Sequence, residues 1–202
     1  MGYVSKTGNK GGIKQQTVIF SNGNTKTFKG KNYHVILSDL TKVEIRDGNN
    51  LSKSLGDENM QSAMLNVFKS MADNTNVEWR LDRFNNGNKR DCYAIGTFHV
   101  EDKSPGARYM GYSQQSVVTF IHSHPDVDIK EELSSMGWTP PYVFKPSDYY
   151  NNTYAPEYSK TTSYVYFPMS NNLWHVRKGK IPSFIKTIKK SSDFFFGTLN
   201  TR

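Results

Sequence analysis

Residues Val117-Val118-Thr119-Phe120-Ile121 form a short run of β-branched and apolar side chains, and His122-Ser123-His124-Pro125 follows it directly. Polar Gln and Ser residues precede the run, so it reads as a buried strand. Residues i and i+2 of a strand point to one face. His122 and His124 are therefore expected side by side where the strand ends. Pro125 has no N–H to donate and stops the ladder. Two imidazoles on one face at a strand end supply half of a tetrahedral zinc site.

Zinc hydrolysis needs a third ligand, an open position and a general acid/base. Asp126, Asp128, Glu131, Glu132 and Asp148 qualify as third ligand by type. Asp148 stands in Lys145-Pro146-Ser147-Asp148-Tyr149-Tyr150, where a long loop can return to the strand end. The base is expected on a neighbouring strand. In Val77-Glu78-Trp79-Arg80-Leu81-Asp82, apolar and charged residues alternate as in a half-buried strand. Glu78 is best placed by that pattern, with Asp82 and Glu101 as rivals.

Much of the apolar content is aromatic, with 12 Tyr, 12 Phe and 3 Trp, so a core is feasible despite a mean hydropathy of -0.68. The net charge of +8 fits an acidic partner or nucleic acid. The lysines are scattered apart from Lys186, Lys189 and Lys190, so a nucleic-acid role is disfavoured. The single cysteine, Cys92, rules out an intrachain disulfide and reads as a buried thiol. No apolar run reaches the ~18 residues of a membrane span. Met1-Gly2-Tyr3-Val4-Ser5-Lys6 lacks the apolar centre of a signal peptide, so export would depend on an address elsewhere.

Residues 1–16 are rich in Gly, Lys and Asn and read as a linker or frayed start, leaving 17–202 as the domain. Thr17–Phe20 and Thr25–Phe28 flank Ser21-Asn22-Gly23-Asn24 as a hairpin. His34 to Leu40 reads as a further strand. A helix is expected from about Glu58 to Ala72, capped by Asp57, with Met60, Met64, Val67, Phe68 and Met71 as its apolar stripe. Tyr93 to Val100 is the strand returning from a turn at 85–88. Residues 126–158 form a long polar and aromatic segment with a short helix near Ile129 to Met136. Thr162–Pro168 and Leu173–Arg177 read as a second hairpin, and Phe194–Leu199 as a docked end. His34, His99 and His175 each read as structural.

A helix, a strand carrying a glutamate, a strand ending His-Ser-His-Pro and then Pro-Ser-Asp resembles the order of the JAMM/MPN-type metalloproteases. Gly30-Lys31-Asn32-Tyr33-His34, Asn76–Leu81, Ile121–Pro125, Ser135-Met136-Gly137-Trp138 and Tyr164–Pro168 are similar to the JAB-like toxin domains. Those domains end RHS-repeat and other polymorphic toxins of Bacteroidetes-type bacteria. The resemblance runs roughly from Thr17 to Asn200.

It implies an α/β, cytidine-deaminase-like sandwich: a mixed β-sheet flanked by helices, with the N-terminal β-hairpin as an extension. It implies zinc held by His122, His124 and Asp148, with a water as fourth ligand. Glu78 would take a proton from that water and return it to the leaving amine, and Ser147 is the nearest match to the serine that holds the oxyanion. The chain departs from the family in its long segment after His124 and in Ser147 standing next to Asp148. Either Asp148 takes the metal without a standard serine role for Ser147, or the third ligand lies elsewhere. The expected function is a zinc peptidase or isopeptidase at the tip of a secreted toxin, delivered into a target cell, cutting a target-cell protein and met by an immunity protein. The alternatives are a metal-dependent nucleic-acid or nucleotide enzyme and a degenerate partner-binding domain.

Overall fold

The structure, a computed structural model, describes residues 3–10, 13–41, 50–55, 58–85, 91–101, 104–107, 109–125, 161–176 and 183–194. Its strands are β1 (Tyr3–Lys10), β2 (Ile13–Phe20), β3 (Thr25–Lys29), β4 (Asn50–Leu55), β5 (Arg80–Asn85), β6 (Asp91–Thr97), β7 (Val117–Ser123), β8 (Thr162–Phe167), β9 (Asn172–Val176) and β10 (Ser183–Thr187). Its helices are α1 (Lys31–Thr41) and α2 (Glu58–Asn74). The first three strands form an antiparallel sheet in the order β1-β2-β3. The other seven form a mixed sheet in the order β10-β9-β8-β7-β5-β6-β4. Only the β7–β8 pair is parallel among these neighbours. A parallel pair needs a long crossover, which accounts for the length of chain between β7 and β8. The fold is mixed α/β, as expected. Among the described residues no helix is long and apolar enough to cross a membrane.

The α2 stripe is as expected: Met60, Met64, Val67, Phe68 and Met71 are all buried. They meet Trp79, Leu81, Ile121, Tyr164 and Tyr166 from one face of the large sheet. Truncating a fully buried aromatic such as Phe68 costs about 3–5 kcal/mol. The helix stops because its own side chains take over the terminal carbonyls: Asn74 Nδ2 donates to Ser70 O and Thr75 Oγ1 to Met71 O. Thr75 Oγ1 then accepts from Trp79 Nε1 at 2.9 Å, so the helix end aims the residue that follows Glu78. The expected cap, Asp57, lies outside the described residues, as do the turn residues 86–88 and the helix expected near Ile129 to Met136.

Three expectations are corrected. Residues 3–10, read as linker, form β1 and pair with β2 along its whole length. Tyr3–Lys10 is too polar in sequence for period 2 to reveal it, and β2, read only from Thr17, begins at Ile13. His34 to Leu40 is helical, inside α1. Its buried residues Ile36, Leu37 and Leu40, with Tyr33 packed beside them, fall at helical spacing. The β-branched Val35 and Ile36 misdirected the strand reading. The segment read as a half-buried strand at 77–82 becomes strand only at Arg80, where β5 begins, and it is not half-buried: Glu78, Arg80 and Asp82 are buried as well as Val77, Trp79 and Leu81. The second face is covered by Ala107, Met110 and Tyr112, which pack with Phe84, Cys92, Ala94, Val117 and Phe120. Cys92 is a buried thiol, as read.

The two hairpins are present. Gly23 takes φ +84° in the β2–β3 turn, a conformation that favours glycine. The β8–β9 pair closes the second hairpin. Phe194 docks as expected, edge-on to Phe68 at 5.8 Å and Tyr166 at 5.2 Å; residues 195–199 lie outside the described residues.

Candidate metal centre

His122 is the penultimate residue of β7, and His124 follows the strand's last residue. Both are buried, and their Nε2 atoms converge to 3.2 Å. The rings are tilted by 51° rather than stacked. Two zinc–nitrogen bonds of 2.0–2.1 Å at a tetrahedral angle place their nitrogens ~3.3 Å apart. The pair thus has the spacing and donor chemistry of two zinc ligands. Phe120 stacks 5.9 Å from His122, and Phe167 meets His124 edge-on at 5.3 Å. These aromatic walls restrict ring rotation.

The intervening Ser123 locks this strand end to the chain entering β5. Ser123 N donates to Trp79 O at 2.9 Å, and Trp79 N donates to Ser123 Oγ at 3.0 Å. A side-chain oxygen thus replaces the carbonyl where the ladder ends. On the other side His124 N donates to Tyr166 O at 3.0 Å. The β5–β7 register pairs Arg80 with His122. Paired residues of an antiparallel ladder share a face. Glu78 stands two residues before Arg80, on the segment that leads into β5.

Glu78 is buried, and its backbone N donates to Val100 O at 2.8 Å. Ser104 Oγ donates to Glu78 Oε1 at 2.6 Å. Ser104 was not legible in the sequence; its only local signal is a Ser-Pro-Gly turn after β6. Among the described residues this hydrogen bond is the one that the Glu78 carboxylate receives.

The rival carboxylates are otherwise engaged. Asp82 is fully buried and accepts from Arg80 Nε at 2.6 Å, Arg80 Nη2 at 3.1 Å and Tyr112 Oη at 2.7 Å. The Arg80 guanidinium lies 4.1 Å from the Phe120 ring centroid. Tyr112 stacks on Phe84 at 3.9 Å. Burial, with the Asp82 charge added, pushes the Tyr112 phenol far above its ordinary value, so it stays a donor. Glu101 is exposed and accepts from Asn76 Nδ2 at 2.9 Å.

The other histidines stand apart from this centre. His175 is buried and stacks on Tyr164 at 5.0 Å. His34 is half-buried on α1. His99 takes φ 61°, and burial lowers its pKa. Among the described residues no three His, Cys, Asp or Glu side chains converge as a metal site. Asp148 and Ser147, and the alternative ligands Asp126, Asp128, Glu131 and Glu132, lie outside the described residues.

A family model described as JAB-like toxin 1 matches residues 56–162, just over half of the chain. That span runs from α2 through β5 and β7 to the start of β8, and so contains Glu78, His122 and His124. Neither the curated proteins nor the solved structures provide a match. With more than half of its length in that match, the chain belongs to the JAB-like toxin 1 family.

Proposed function

We propose that this toxin domain is a zinc-dependent peptidase or isopeptidase, the toxic tip of a larger RHS-type protein delivered into a target cell. One observation supports it above others: the His122 and His124 Nε2 atoms converge to 3.2 Å, and His122 pairs in register with Arg80, two residues after Glu78. His122 and His124 would hold the zinc, with Asp148 as third ligand. When bound, zinc supplies Lewis acidity and makes water a usable nucleophile at neutral pH.

The chain's own residues do the rest. Ser104 holds Glu78 Oε1, which leaves Oε2 to take a proton from the attacking water and return it to the leaving amine. Ser123 keeps the base-bearing segment and the ligand-bearing strand in register. Ser147 is the proposed donor to the oxyanion. The excess of basic residues suits an acidic immunity protein that neutralises the toxin.

The test is Glu78→Gln, expressed in a susceptible cell and also purified for metal analysis. Losing a general base costs about a hundredfold to ten-thousandfold in rate. The variant should keep zinc and fold and lose toxicity, while exposed Glu101→Gln stays toxic. Full toxicity of Glu78→Gln would end the assignment. The net charge of +8 favours one second reading, a metal-dependent nucleic-acid enzyme. Degradation of RNA or DNA by the zinc-loaded chain, without peptide cleavage, would establish it instead. A chain that binds no zinc would point to a partner-binding domain without catalysis.

A further inference from the structure

Glu78 lies beyond the regular ladder. β5 begins at Arg80, and its pairing with β6 ends where Arg80 stands opposite Gly96. Each step back from Arg80 matches one step forward from Gly96, so the same register would set Glu78 opposite Phe98. The Glu78 N–H instead donates to Val100 O at 2.8 Å, two residues further on. The chain after β6 therefore makes a detour here before it rejoins the segment that leads into β5. Extra residues of this kind end pairing and re-aim side chains, and they gather beside active sites.

The detour has its own supports. His99 takes φ 61°, the left-handed region that a residue with a side chain enters at a cost. Thr97, fully buried at the end of β6, closes the turn from within: its Oγ1 accepts from His99 N at 3.0 Å. Directly after the turn, Val100 O takes the Glu78 N–H, and Glu101 Oε1 accepts from Asn76 Nδ2 at 2.9 Å. Ser104 Oγ then reaches Glu78 Oε1 at 2.6 Å. One bond fixes where the Glu78 side chain starts and the other fixes where it ends. Without the second, the three torsions of a glutamate leave its carboxylate free to turn.

We propose that this detour is the positioning element of the general base. Thr97 shapes the left-handed turn at His99, the turn brings Val100 O to the Glu78 backbone, and Ser104 holds the carboxylate. Thr97 and Ser104 are positioning residues that act through Glu78. The inference rests on the reading of Glu78 as the base and names what sets its aim.

The test separates aim from mere stability. Zinc-loaded parent, Ser104→Ala, Ser104→Thr, Thr97→Val and Glu78→Gln are each incubated with a proteome-derived peptide library, and new termini are read by mass spectrometry. The best-cleaved peptide then serves for kinetics, and amide hydrogen exchange is followed by NMR. A misplacement near 1 Å costs up to about a hundredfold, so Ser104→Ala should lower kcat by about tenfold to a hundredfold with KM within about twofold. Its Glu78 amide should stay as protected as in the parent, because the bond to Val100 remains. Ser104→Thr restores the hydroxyl and should recover kcat to within about threefold of the parent. Thr97→Val should speed exchange at the Glu78 and His99 amides by about tenfold and lower kcat with it. Zinc content should be equal in all five proteins. Val67→Ala, a cavity in the buried face of α2, controls for lost stability and should keep kcat within about twofold. Parent-like kcat in Ser104→Ala, with Glu78→Gln inactive, overturns the positioning element and leaves the base standing. Ser104→Thr as slow as Ser104→Ala, or Val67→Ala as slow as either, overturns it too. Cleavage by neither parent nor variants overturns both readings.

Discussion

Replacing Asp82 by alanine isolates the electrostatics of the face that carries the candidate metal centre. Asp82 is fully buried and accepts three hydrogen bonds, two from the Arg80 guanidinium and one from Tyr112. The variant leaves Arg80, itself buried, without that carboxylate beside the Phe120 ring. Removing one member of a buried ion pair costs about 3–5 kcal/mol. A domain is stable by only about 5–15 kcal/mol, so the loss is large. With a urea m-value of about 2–3 kcal/mol/M, the midpoint should fall by roughly 1–2.5 M. The control is the triple variant Arg80→Met/Asp82→Leu/Tyr112→Phe, which removes both charges and the hydroxyl that pointed at them. Replacing a whole buried pair by apolar residues is often neutral or stabilising, so its midpoint should lie within about 0.5 M of the parent. If the single and triple variants lose the same stability, the cost is one of shape and the charge argument fails.

Further outcomes follow from the same geometry. The His122→Ala/His124→Ala variant should keep its fold and lose its metal by elemental analysis; parent-like zinc would remove both ligands from the site. Asp148→Ala should lose metal where Asp126→Ala and Asp128→Ala do not, and a zinc-bound structure should place the Asp148 carboxylate within ~2.2 Å of the ion. Asp193 accepts the backbone N–H groups of Lys190 and Lys189, and these bonds, that of Lys190 first, hold its pKa below the ordinary 3.8. A lowered carboxylate pKa stabilises the fold above the unfolded value and loses that contribution as pH falls through the folded one. Amide protection at Lys189 and Lys190 should therefore weaken only as pH drops below about 4; protection that already fades near neutrality would count against this.

The parts of the fold visible in the sequence were those with a clean period. The α2 stripe repeats at helical spacing over about three turns, and Val77, Trp79 and Leu81 alternate strictly, so each is assigned to the right face. The spacing of His122 and His124 likewise puts both imidazoles on one face. What escaped had no period to read. β1 and the start of β2, Ile13–Gln16, are joined by backbone bonds, which leave no mark on side-chain type. The short apolar run in α1 fits strand and helix alike, and its packing against the core decided the matter. Burial of Arg80 and Asp82 was hidden because charged residues normally mark a solvated face. Their mutual pairing makes the exception possible. Ser104 was invisible because it lies in a turn well downstream of Glu78, and only the folded chain brings the two together.

The same alternation divides labour across this pair of strands. Inward residues of β5 and β7 anchor the strands against α2, and outward residues include the proposed zinc ligand His122. Ser123 belongs to the inward set, yet its hydroxyl sets the spacing of the outward one by bonding Trp79 N–H where the ladder ends. The outward set contains a cation, Arg80, directly opposite His122 in register. An uncompensated positive charge there would oppose binding of a second cation by the imidazoles. The bidentate carboxylate of Asp82 cancels it while leaving both side chains buried. Asp82 therefore serves the site without touching it. Its loss should weaken zinc binding as well as the fold, and the triple variant, which has no charge to cancel, should restore both.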